Sequence, residues 1–222
     1  MVKHDKESID KCELFRDLED VCKPDKRMKY FCADEFCTNL LSDDIKYQRN
    51  IISGFVLPDY VPDEIYIRYD TAKNLFLYAW FVYRFHNVAE LHLYSTLEMA
   101  LRLRYGDEAR SEHEEYVRGK PGKHRKKYNP TLHSLLCFTI NHGYIVATDF
   151  ETYNVSFGQE SGGTSSSEQE NRFLQNLVEI VPKFRNDLGH GSITLHSDIQ
   201  RSFTMVRDVL VKIFNPHPHN AI

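Results

Sequence analysis

The chain has 222 residues, of which 41% are hydrophobic and 27% charged, and its formal charge is −4. That suits one globular domain with an extension, and the composition is ordinary for a protein able to bury a core. The net acidic balance excludes a protein that coats nucleic acid over its whole surface but leaves room for one local basic site.

No apolar stretch follows the charges of MVKHDKESID, so no secretory signal is expected. The longest apolar run, 75–83, has nine residues, whereas a helix needs about twenty to cross a bilayer. The five cysteines are Cys12, Cys22, Cys32, Cys37 and Cys137. Their odd number and the lack of a secretory signal predict reduced thiols in a cytoplasm, and the absence of a CxxC pair argues against a zinc site; no cofactor is expected.

Residues 1–60 read as an N-terminal helical extension and 61–222 as an all-α, antiparallel helical bundle. In the extension, Ser8 can cap a helix with Cys12, Phe15, Leu18 and Cys22 on one face. A second helix is expected over 33–49 with Phe36, Leu40 and Leu41 inward, followed by irregular chain at Pro58 and Pro62. From Asp70 to Tyr105 there is no Pro or Gly, and Phe81, Phe85, Ala89, Leu93, Leu97 and Leu101 recur every fourth residue. This predicts one long amphipathic helix ended by Gly106. Glu98 and Arg102, four apart, are a helix-surface pair or a contact to a ligand.

Residues 106–130 are polar and broken by Gly119, Pro121, Gly122 and Pro130. Arg118, Lys120, Lys123, Arg125, Lys126 and Lys127 make a basic run there, which reads either as a solvated loop or as a loop that tracks phosphates. Thr131 then starts a short helix with Leu132, Leu135, Leu136 and Ile140 inward, stopped at Gly143; the state of 144–148 stays open. Gly158 to Ser167 is a Gly/Ser connection. Two capped helices close the chain. Ser167 and Glu170 make a capping box before Leu174, Leu177, Val181, Phe184 and Leu188. Ser197 and Gln200 make another before Phe203, Val206, Leu210 and Ile213. Short links between such helices favour antiparallel neighbours.

At the end of the first of these helices stands FRNDLGHGS, residues 184–192. Arg185, Asn186 and, after four intervening residues, His190 resemble the motif of the HEPN family (higher eukaryotes and prokaryotes nucleotide-binding), an Arg, a polar residue and a His near the end of a bundle helix. The resemblance covers roughly 70–215, including a long helix reading LYSTLEMALRLRYG before the motif. It implies an all-α bundle and a metal-independent endoribonuclease, of the kind used as a toxin or antiviral-defence effector. It also implies a homodimer with a composite site and a separately encoded antitoxin as a possible partner. In such a site His190 has the right acidity to move protons near neutral pH. Arg185 offers a charged fork to phosphate oxygens, and Asn186 can orient His190 or hold an oxygen. Five residues apart on a continuous helix, Arg185 and His190 would differ by about 140°. Gly189 is therefore expected to leave helical geometry and turn His190 back, with Pro182 starting a fresh turn or kinking the helix.

Other readings stand beside this one. His190 can simply cap the helix C-terminus, with Arg185 paired to Asp187 or Glu179. The chain can be a non-catalytic helical module that binds RNA, a nucleotide or a protein. It can also be a structural interaction domain working through the apolar helix around Trp80. His86, His92, His133 and His142 read as helix residues at core margins.

Overall fold

The computed structural model describes residues 15–30, 45–118, 128, 130–157, 166–191 and 199–216. All their regular structure is helical, as expected. The α-helices are α1 (Lys46–Ser53), α2 (Asp63–Tyr78), α3 (Phe85–Arg118), α4 (Leu132–Asn141), α5 (Glu151–Phe157), α6 (Ser166–Gly189) and α7 (Ile199–Phe214), with short 3-10 helices at Lys26–Tyr30 and Ala147–Asp149. None of these helices is long and apolar enough to cross a membrane.

α3 is the axis of the bundle, packing against α2, α4, α6 and α7. Its inward stripe of Ala89, Leu93, Leu97, Ala100 and Leu101 is fully buried. Ile65 and Tyr69 of α2, Leu135 and Leu136 of α4, and Phe203, Val206 and Leu210 of α7 meet it. Burying each of the larger of these side chains contributes roughly 1.5–3 kcal/mol. Ile52 of α1 and Leu57 after it belong to the same core.

The expected uninterrupted helix over 70–105 is instead two helices. The chain leaves helical geometry after Tyr78, inside the apolar run, and resumes at Phe85. A distant segment takes up backbone groups at this elbow. The Asp25 N–H donates to the Trp80 carbonyl at 2.9 Å, and the Tyr83 N–H donates to Asp25 Oδ2 at 3.2 Å. Arg27 lies over the Tyr83 ring at 4.6 Å, and Met28, Trp80 and Tyr83 form a small second core. The loss of helical hydrogen bonds is thus compensated from outside the local sequence.

The expected stop at Gly106 also fails, because α3 runs through it to Arg118. A glycine inside a helix costs about 1 kcal/mol, which the packing of the preceding turns easily offsets. At the N-terminal end, residues 15–25 form turns and not a helix, and Phe15, Leu18 and Cys22 are exposed and share no buried face. Of the helix expected over 33–49, 33–44 lie outside the described residues, Phe36, Leu40, Leu41 and Cys37 among them, as do Cys12 and Cys32.

Thr131 caps α4 as expected: Ser134 N–H donates to Thr131 Oγ1, and Thr131 N–H donates to Ser134 Oγ at 2.8 Å. Gly143, at φ +68°, turns the chain just past its end. The open stretch at 144–148 leads into the 3-10 turn and α5. That short helix is anchored on α7, since Glu151 N–H donates to Asp208 Oδ2 at 2.8 Å.

Candidate functional site

α6 carries the FRNDLG segment, and its apolar face docks it. Leu177, Val181 and Leu188 are buried, as is Pro182. Pro182 is contained within α6, which continues through it and starts no new helix there. The exposed end beyond carries Arg185, Asn186 and His190.

Arg185 finds neither Asp187 nor Glu179. Its Nη2 lies 3.1 Å from Glu98 Oε2 on α3. The other Glu98 oxygen, Oε1, accepts from Arg102 at 3.0 Å, so one carboxylate holds two guanidinium groups. Arg102 also donates to the Pro130 carbonyl at 2.9 Å, so the chain that follows the basic run returns to the same point. Arg185 Nη1 points toward Asn186 Oδ1 at 3.4 Å. Its Nε is sealed from solvent without a hydrogen-bond partner among the described residues, while the side chain's tip stays accessible. The side chains of Arg102 and Arg185 are 50% and 37% exposed, that of Glu98 only 17%. Each pair is therefore worth no more than about 1 kcal/mol of stability. Two cations on one anion leave a surplus positive charge at the surface.

His190 does not turn back toward this cluster. Gly189 remains in α6, and the His190 N–H donates to the Asn186 carbonyl at 2.8 Å, an ordinary helical bond. The left-handed turn comes two residues later, at Gly191 with φ +83°. Gly189 is exposed, and an added Cβ there would lie 3.9 Å from Leu91 Cδ1, an ordinary contact. α6 stays helical through Gly189, and the chain unwinds only beyond it. His190 is thus exposed and about 140° round the helix from Arg185.

Of the basic run, Arg118 ends α3 and is exposed, while Lys120, Lys123, Arg125, Lys126 and Lys127 lie outside the described residues. Among the other histidines, burial pushes His86 down to about 4. Burial and the charge of Arg68 push His92 down as well. Both are poor proton carriers at neutral pH. His142 sits 3.1 Å from Glu112 at the end of α4. Among the described residues no group of three His, Cys, Asp or Glu is placed to hold a metal ion.

Glu98 is the residue that sequence reasoning undervalued. Its four-residue spacing from Arg102 identified one partner, but nothing local pointed to Arg185. Compared with protein-family models, curated proteins and solved structures, the chain has no match.

Proposed function

We propose that the chain is a metal-independent endoribonuclease of HEPN type, active as a homodimer. The observation that carries this reading is the Glu98 cluster, whose two accessible guanidinium tips and surplus charge suit a phosphodiester. Asn186 beside Arg185 adds a neutral donor. His190 adds an exposed imidazole, the side chain best suited to general acid–base work. Since His190 faces away from Arg185 on its own helix, the imidazole that serves this cluster comes from a second copy, and the site is complete only in the dimer.

In the reaction an imidazole takes the proton of the ribose 2′-OH. The 2′-oxygen bonds to the adjacent phosphorus while the bond to the 5′-oxygen breaks. An imidazolium returns a proton to that leaving oxygen, giving a 2′,3′-cyclic phosphate and a 5′-hydroxyl. Arg185 stabilises the charge on the phosphorane oxygens. The basic run guides RNA toward Pro130 and the cluster. Use as a toxin or antiviral-defence effector in the cytoplasm, restrained by a separate antitoxin, belongs to the same proposal.

The deciding experiment is RNA cleavage in excess EDTA by wild type and His190→Ala, with analysis of the product ends. Cyclic phosphate ends that vanish in the variant support the reading. RNA binding without cleavage, sensitive to Arg185→Ala, replaces the nuclease with a non-catalytic RNA-binding module, the reading favoured by the separation of Arg185 and His190 within one chain.

A further inference from the structure

Where α3, α5, α6 and α7 meet, the bundle leaves a cleft of about 380 Å³. Phe173, Leu177, Val181 and Phe184 of α6 and Met205 of α7 make apolar walls. The floor is polar. Glu90 of α3, only 4% exposed, accepts on Oε1 from Tyr94 Oη at 3.0 Å and from Ser202 Oγ at 2.7 Å. The two hydroxyls are themselves 2.9 Å apart. Burial and the nearby Glu90 hold the Tyr94 phenol above its usual value, so it remains a neutral donor. Both hydroxyls therefore converge on one carboxylate oxygen. The other, Oε2, has no hydrogen bond, and no Lys, Arg or His nitrogen forms an ion pair with Glu90 among the described residues.

A buried carboxyl group whose partners are only neutral hydroxyls offers its open oxygen to a cation placed against it. The walls beside it offer a surface for a hydrocarbon body, and the volume is that of a small-molecule site. Arg201 stands at the rim and is exposed, while the apolar walls offer no counter-ion for a second positive charge on the ligand.

We propose that this cleft binds a small organic monocation, a primary ammonium ion carrying an apolar or aromatic body, with Glu90 as its counter-ion and the α6 side chains around the body. This goes beyond the nuclease reading and does not depend on it.

The test is calorimetric titration of the full chain with phenethylammonium, with the uncharged phenethyl alcohol of nearly the same shape, and with spermidine. Wild type is expected to prefer phenethylammonium over the alcohol by at least about tenfold, the ratio that about 1.4 kcal/mol of charge pairing produces, and to bind spermidine more weakly. Glu90→Gln keeps an acceptor for Tyr94 and Ser202 and is expected to abolish the preference. Ile180 lines the cleft and is 43% exposed, so Ile180→Lys is tolerated by the fold and brings a competing ammonium to the wall. It is expected to weaken phenethylammonium at least tenfold and decides the matter should Glu90→Gln fail to fold. Equal binding of amine and alcohol by wild type, no binding of either, a preference retained in Glu90→Gln, or undiminished binding in Ile180→Lys would each overturn the proposal.

Discussion

Gly189 and Gly191 are two residues apart, and the structure assigns them opposite roles that substitution can separate. Gly189 is helical, and a methyl group there would meet only Leu91 Cδ1 at 3.9 Å, an ordinary van der Waals contact. Alanine in a helix is favoured over glycine by about 0.8–1 kcal/mol, less near an end. Gly189→Ala should therefore stabilise the protein by about 0.5–1 kcal/mol, raising Tm by about 1–4 °C for a chain of this size. Gly191 has nothing within 4 Å of an added Cβ, but its φ is +83°. Forcing an L side chain into the left-handed region costs about 1–2 kcal/mol. Gly191→Ala should lower Tm by about 2–8 °C on the same scale. Thermal and urea unfolding of both variants checks this. A destabilised Gly189→Ala beside a neutral Gly191→Ala would refute the placement of the turn and restore a His190 that folds back toward Arg185.

Three more outcomes follow from other parts of the molecule. Asp25→Asn should destabilise the elbow by on the order of 2–3 kcal/mol, because Asp25 is buried and receives Arg27 through two hydrogen bonds of 2.9 and 2.8 Å. Burial opposes ionisation of Asp25, but Arg27 and the Tyr83 N–H outweigh it and hold the carboxyl below the usual range. Its contribution is present at neutral pH, above the unfolded value, and is lost as pH falls through the lower folded value. Unfolding followed across the acid limb should show less pH dependence in the variant than in wild type. Glu98→Gln should cost no more than about 1 kcal/mol while tightening RNA binding in a filter assay, since both guanidinium groups lose their anion; weaker binding would mean that the carboxylate positions them. Replacing Lys123, Arg125, Lys126 and Lys127 together by Ala should flatten the salt dependence of RNA affinity, and an unchanged slope would remove the basic run from the interface.

What the chain discloses locally, it discloses well. Thr131 and Gly143 lie where cap chemistry puts them, and the inward steps of α6 and α7 where periodicity does, because each depends on residues within one or two turns; Ser167, expected as a cap, lies inside α6, and Ser197 is outside the described residues. The misreadings share the opposite cause. The elbow at 79–84 carries no breaker; it is held by Asp25, from a segment whose own hydrophobic spacing suggested a helix. Gly106 looked like a stop because a glycine's local preference is visible, whereas the packing that carries α3 past it is not. The short α5 had too few residues for a period, and its tie to Asp208 is long-range. At the site, Arg185, Asn186 and His190 were legible as a motif, but their mutual geometry depended on which of two nearby glycines turns, and local preference favours both alike.

The arrangement of polar groups on α3 follows from the helix itself. Glu90, Tyr94, Glu98 and Arg102 step by four residues, and each step advances about 400°, a net drift of about 40°. Over three steps the row sweeps about a third of the way round the helix. Glu90 and Tyr94 accordingly meet Ser202 of α7, Glu98 meets Arg185 of α6, and Arg102 meets Pro130 just before α4. A straight stripe would face one neighbour; the drifting one contacts three in turn. Along this single row the character changes from a buried acid without a cation, at the cleft, to one carboxylate shared by two arginines at the surface. The two candidate sites are thus successive turns of one helix. The same drift that separates their charges gives one an apolar-walled cleft beside a lone acid and the other an exposed face carrying two guanidinium groups.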